Sequence, residues 1–320
     1  MTLKRELEVA VSAVRAAALT CREVQRRLVS ADTLTKKDKS PVTVADFAAQ
    51  AIVCRLLEIS FPQDPVVGEE SGHELRAHEA MLDQVVTHVA ASFPGCSRDD
   101  VVRWIDRGVG TGKDGRFWTL DPVDGTKGFL RGEQYAIALA LIVDGKVVLG
   151  VLGCPNLSSA GSEGTLYFAR RTNGAEMMPL STGLRARVQV SSQSDSRRIR
   201  IVESVEAAHG DHIAHQRIKE RLQIAAESVR LDSQAKYAVL ARGDAEAYLR
   251  LPTRADYREN IWDQAAGSIV IEEAGGRVTD AFGRALDFSC GKKLEANQGI
   301  VASNGLVHGA LIEAIAATQP

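Results

Sequence analysis

The sequence is short of several things, and each shortage excludes a class of protein. Cysteine is scarce. Five residues (Cys21, Cys54, Cys96, Cys154, Cys290) are scattered along 320, odd in number and never spaced C-x-x-C. That excludes a disulfide framework and a zinc ribbon, and fits reduced, mostly buried thiols in a cytoplasmic protein. Long apolar runs are missing too. The longest, residues 136–143, falls far short of the roughly 20 residues that span a bilayer, so no membrane association is expected. A charge excess of one sign is absent: 39 basic and 41 acidic side chains leave a formal charge of −2. No basic field exists to hold a nucleic-acid duplex. The charged, acid-containing start lacks the apolar core of a signal peptide and the composition of a transit peptide. With nine Pro and 27 Gly, the chain is not of disordered composition either.

What is present is an ordinary globular composition, 45% apolar and 25% charged, long enough for about two domains and a core needing no staples. Leu3, Leu7, Val11, Val14, Ala18 and Cys21 recur at helical spacing and predict a helix over 3–28. A polar break at 36–41 precedes a second helix over 43–60. A short strand at 65–67 and a helix over 77–91 follow. A strand at 116–120 runs into Asp121-Pro122. Two apolar runs, 135–143 and 146–152, joined by Asp144-Gly145, predict a hairpin. Another strand is predicted at 165–169. Beyond it strands at 199–204, 228–231, 245–250 and 299–303 alternate with helices at 211–222, 234–242, 262–274 and 306–317, an α/β pattern. The expected division is an α+β half over 1–165 and an α/β half over 166–320.

Acids punctuate this pattern. In Asp121-Pro122-Val123-Asp124-Gly125-Thr126, a strand delivers Asp121 to its end, and Pro122 suits the first position of a helical turn. Asp121 and Asp124 can then converge, with the Val123 carbonyl beside them, and the Gly125 and Thr126 amides can hold a phosphate. Close carboxylates repel unless a cation lies between them, and hard oxygen donors suit Mg²⁺. The same residues also fit a plain N-cap and turn. Gly68-Glu69-Glu70-Ser71 follows a buried strand, or is a solvated turn into a helix. Asp263 opens an apolar helix, catalytically or through the helix dipole. Thr43 and Asp46 form a capping-box pattern, so Asp46 reads as a cap or as a base. Lys236 and Arg250 read as an anion site or as surface ion pairs. His209, His212 and His215 lack the spacing and fourth ligand of a zinc site. His212 and His215 are expected to be solvated.

These residues resemble the lithium-sensitive, magnesium-dependent phosphatases of the inositol monophosphatase family. Asp121-Pro122-Val123-Asp124-Gly125-Thr126 and Trp262-Asp263 through Glu273-Ala274-Gly275-Gly276 match its two signatures, and the resemblance extends over about 40–288. Lys127-Gly128-Phe129, Glu203 to His209, Leu231 to Tyr237, Tyr248 to Pro252 and Tyr257 to Asp263 are similar to its branch acting on 3′(2′),5′-bisphosphate nucleotides. The resemblance implies a five-layer αβαβα sandwich with the site between the halves. It implies two or three Mg²⁺ held by Glu69, Asp121, Asp124, Asp263 and the Val123 carbonyl. It assigns Asp46 and Thr126 to orienting and deprotonating the attacking water. It assigns Gly125, Thr126, His209, Ser233, Lys236, Arg250 and Asp263 to substrate. The substrate so implied is adenosine 3′,5′-bisphosphate, giving 5′-AMP and phosphate. The 5′-phosphosulfate analogue is a further candidate, and inositol phosphates or silent nucleotide sensing are the alternatives. The chain is expected to act as a monomer.

Overall fold

The structure is a computed structural model describing residues 3–29, 40–159, 161–205, 212–252, 254 and 256–318. Most of the polar break at 36–41 lies outside the described residues. In chain order the elements are α1 (Lys4–Leu28), α2 (Ser40–Ser60), β1 (Val66–Gly68), α3 (Gly72–Arg76), α4 (Glu79–Ala90), α5 (Arg98–Asp106), β2 (Arg116–Asp124), α6 (Thr126–Arg131), β3 (Ala136–Val143), β4 (Lys146–Cys154), β5 (Thr165–Arg170), β6 (Ala175–Pro179) and β7 (Ala186–Val188). They continue with β8 (Ile201–Glu203), α7 (His212–Arg221), β9 (Val229–Arg230), α8 (Ala235–Ala241), β10 (Ala247–Arg250), α9 (Ala265–Glu273), β11 (Arg277–Thr279), β12 (Ile300–Ser303) and α10 (His308–Thr318).

Two sheets organise them. One runs β1 to β7 in chain order, with β1 parallel to β2 and the later pairs antiparallel. The other has the order β11-β12-β10-β8-β9. Side chains alternate between the faces of a strand. One face of the first sheet, with Leu139, Leu141, Leu149 and Val151, buries against α1 and α2, and α4 and α5 pack on α2 behind them. Its other face, with Ala138, Ala140, Ile142 and Leu152, packs on α8 and α9, whose far side covers the inner face of the second sheet, including Val202, Tyr248 and Ala302. The outer face of that sheet, with Ile201, Leu249 and Val301, packs on Ile218 of α7 and on Leu311 and Ile315 of α10. Helix, sheet, helix, sheet, helix is the expected five-layer sandwich.

Several expectations need correction. The first sheet continues through β7 to Val188, because β5 pairs with β4 and draws β6 and β7 after it. The change of sheet falls between Val188 and Ile201. The predicted helix over 77–91 is α4, Glu79–Ala90, while α3, α5, β6, β7 and β11 were not predicted. Helix α2 starts at Ser40, so Thr43 already lies inside it and does not cap it. Pro122 does not open a helical turn: β2 continues to Asp124, its register against β3 slipping between Asp121 and Asp124. Asp263 stands in the turn ahead of α9, which begins at Ala265.

Candidate active site

A cleft of about 250 Å³ opens where the two sheets approach each other. Of the twelve residues singled out from sequence, ten line it: Glu69, Asp121, Val123, Asp124, Gly125, Thr126, Ser233, Lys236, Arg250 and Asp263. Asp46 is buried, 7% exposed, and is not part of its wall. His209 lies outside the described residues.

Parallel pairing of β1 with β2 sets Gly68 opposite Leu120. The Glu69 amide donates to the Leu120 carbonyl at 3.2 Å, which fixes Glu69 next to Asp121. Gln50, one turn beyond Asp46 and fully buried, holds this corner. Its Nε2 donates to the carbonyls of Glu70 (2.6 Å) and Ile105 (3.0 Å), and its Oε1 accepts from the Glu70 amide (3.1 Å). Replacing Gln50 with Leu strands those groups and is expected to cost about 2–4 kcal/mol, read as a lower midpoint in urea at constant slope. A wild-type midpoint would show that the corner stands without it.

On the other side, Gly125 (φ +90°) leads from the β2 bulge into α6. Gly128 lies so close to the Gln134 carbonyl that a Cβ would sit 2.1 Å from its oxygen. The motif is tied to the second half of the chain by the Gln234 amide, which donates to Asp124 Oδ2 at 2.6 Å, and by an Arg131–Asp232 ion pair. Ser233 between them has φ +64°, an uncommon backbone state for a residue with a side chain.

Burial, then repulsion from Glu69, Asp124, Asp263 and Asp46, pushes the Asp121 carboxyl well above its usual range. Burial and then Glu70 and Glu69 do the same to Asp46. Glu69 is raised by desolvation, although it shares a hydrogen bond with Asp121. Asp263 is pushed up to about 8, chiefly by burial; Arg250 pulls it down, while Asp124, Glu259 and Glu69 raise it further. Among the described residues, no three His, Cys, Asp or Glu side chains close tightly round one point, as expected of like charges that resist approach. Their chemistry nevertheless suits a hard cation. The donors are all carboxylate or carbonyl oxygens, and among the described residues the buried Oδ1 of Asp121 has no hydrogen-bond partner.

Lys236 and Arg250 reach the cleft from the second half of the chain, and Lys127 lines it from the first. Lys236 is buried, and desolvation lowers its ammonium to about 8 against the support of Asp124. Its Nζ lies 5.4 Å from the centre of the Tyr248 ring and donates to the Leu231 carbonyl at 3.4 Å. Arg250 is not a surface ion pair: its Nε bonds to the buried Glu259. His215 corrects an expectation. It is 4% exposed, lines the cleft and faces Glu203 at 3.8 Å. Sequence reading missed Gln50, Asp232, Gln234 and Glu259 as parts of the site. A polar Gln50 in the otherwise apolar stretch 47–54 was one available signal, and the family-like segments 231–237 and 257–263 contain the other three.

The chain belongs to the inositol monophosphatase family, whose profile matches residues 3–319, and it is a phosphatase. It is 41% identical to the 3′(2′),5′-bisphosphate nucleotidase 2 of Candida albicans, over 98% of this chain and 96% of that one. It is 42% identical to the 3′(2′),5′-bisphosphate nucleotidase of Dictyostelium discoideum, over 96% and 95% respectively. Among solved structures, the inositol monophosphatase from Anabaena superposes with a TM-score of 0.67 at 21% identity, covering all of this chain and 98% of the other. CysQ from Bacteroides thetaiotaomicron gives 0.66 at 20% identity, over 95% and 98%. At those identities the likeness shows the fold. Among the described residues, no helix is long and apolar enough to cross a membrane.

Proposed function

We propose that the cleft removes the 3′-phosphate of adenosine 3′,5′-bisphosphate, giving 5′-AMP and inorganic phosphate. One observation carries the reading: a single cleft joins four acids with two buried-side cations, Lys236 and Arg250. The acids suit one phosphate with its Mg²⁺, and the cations suit a second phosphate. The relatives named for 3′(2′),5′-bisphosphates support it.

Glu69, Asp121, Asp124, Asp263 and the Val123 carbonyl would hold the Mg²⁺. When bound, Mg²⁺ polarises phosphoryl oxygens and makes a nearby water more acidic. The chain does the rest. The Thr126 hydroxyl orients the attacking water, and the Asp46 carboxylate takes its proton; a base raised from its usual range accepts a proton more readily. The water oxygen bonds to phosphorus, the bond to O3′ breaks, and the departing O3′ takes a proton from solvent water to leave as the hydroxyl of 5′-AMP, while Asp46 returns its proton to solvent. Lys236 and Arg250 hold the 5′-phosphate, Arg250 with a fork of donors and Lys236 as a point charge. Ser233 adds a hydroxyl, and the Gly125 and Thr126 amides stand next to the transferred group. His209 is assigned to the nucleotide on the same reading.

Phosphate release from adenosine 3′,5′-bisphosphate and from inositol 1,4-bisphosphate, in Mg²⁺ and in EDTA, tests this. The expected result is a higher kcat/KM for the nucleotide and no turnover in EDTA. A higher kcat/KM for the inositol phosphate would overturn it.

A further inference from the structure

Behind Arg250 runs a chain of buried polar groups that none of the roles above uses. Tyr237 Oη donates to Gln264 Oε1 at 2.6 Å, and Gln264 Nε2 donates to Glu259 Oε2 at 3.0 Å. Glu259 in turn accepts from Arg250 Nε, 2.9 Å from Oε1 and 2.8 Å from Oε2. Glu259 is 3% exposed, and Tyr237 and Gln264 are as deeply buried. On the other edge of the guanidinium, Nη2 donates to Tyr257 Oη at 3.3 Å and lies 3.8 Å from Asp263 Oδ2. Nη1 has no hydrogen-bond partner among the described residues.

A buried carboxylate is costly unless it is paired and its remaining lone pairs are satisfied. Here it is also close enough to Asp263 to make that acid harder to ionise. The fold keeps a charge that works against its own acid cluster. What the charge achieves is local: it takes Arg250 by Nε and leaves donors of the same plane for the cleft. A long, rotamer-rich side chain is thereby ordered before any ligand arrives, which removes an entropic cost from binding. The planar fork makes that orientation matter more than it would for a lysine.

We propose that Glu259 is a positioning residue which, held by Gln264 and Tyr237, fixes Arg250 to receive the second phosphate and so sets the preference for a bisphosphate over a monophosphate. The inference rests on the reading that the cleft takes a bisphosphate. Glu259 stands behind Arg250 and does not line the cleft, so its loss is felt chiefly in recognition.

The test compares kcat/KM for adenosine 3′,5′-bisphosphate and adenosine 3′-monophosphate in the parent, Glu259→Gln, Arg250→Ala, the double variant and Tyr237→Phe. Glu259→Gln is expected to reduce the bisphosphate-to-monophosphate ratio about tenfold, the scale of one hydrogen bond to a charged group. The loss should appear in KM for the bisphosphate, with kcat close to the parent's. The double variant should discriminate no worse than Arg250→Ala alone, because Glu259 acts only through Arg250. Tyr237→Phe, which removes one hydroxyl at the far end of the chain, should shift the ratio the same way by a smaller factor. An unchanged ratio in Glu259→Gln, or losses that add in full in the double variant, would overturn the inference. Should Glu259→Gln fail to fold, Tyr237→Phe decides, and an unchanged ratio there also overturns it. A parent enzyme without any preference for the bisphosphate is a separate outcome, which removes the functional reading and this inference with it.

Discussion

Replacing Asp121 with asparagine is expected to lower phosphate release by about 10²–10³-fold, the scale for one preorganised electrostatic group, while making the protein more stable in EDTA. The two effects have one cause. Asp121 is 2% exposed, its Oδ1 is buried without a partner among the described residues, and four other acids raise its carboxyl after burial has done most. Asparagine keeps the shape and removes the charge. In EDTA the repulsion then goes uncompensated in the parent only, and the variant should melt about 1–2 °C higher, equivalent to about 1 kcal/mol in a chain of this size. The sign separates two readings of the motif. An aspartate that served as a cap would lose about 0.5–2 kcal/mol on replacement, so Tm would fall. Turnover is read as released phosphate and stability as a melting curve in EDTA. Undiminished turnover would remove Asp121 from the site, and a lower Tm would make its role structural.

Local pattern made much of this molecule legible. The Asp144-Gly145 turn is where expected, both residues at positive φ, because a two-residue hairpin demands that backbone. The alternation after residue 199 comes through in order, since each buried strand and amphipathic helix writes its own period. Failures occur where the decisive partner is distant in sequence. Nothing local shows that β5 to β7 extend the first sheet, since an edge strand carries the same pattern whichever sheet it joins. The cap readings of Asp46 and Asp121 erred on element boundaries, because the helix already begins at Ser40 and pairing with β3 carries the strand on to Asp124. Glu259 and Gln50 were illegible for another reason. A buried polar residue has meaning only through its partners, here Arg250 at one corner and the Glu70 backbone at the other.

In EDTA the protein is expected to lose stability as pH rises from about 6 to about 8, and Mg²⁺ is expected to remove most of that loss. Asp263 has a folded value pushed up to about 8, against about 3.9 in an unfolded chain. Between those values the folded protein keeps a proton that the unfolded chain has released. The folded state thus binds more protons, so stability falls with rising pH and the full penalty is reached above the folded value. Asp46, Glu69 and Asp121 are shifted in the same direction and add the same sign. A bound divalent cation favours the ionised acids, pulls their folded values back down, and adds its own binding to the native state. The Tm difference between Mg²⁺ and EDTA should therefore widen from about pH 6 to about pH 8. It should be smaller at every pH in Asp263→Asn, where one repelled charge is already gone. A difference that stays flat across the range, or widens toward acid, would mean that these carboxylates are not what the cation meets. Proton and cation would then have to act on different groups, whereas one acidic cleft obliges them to compete.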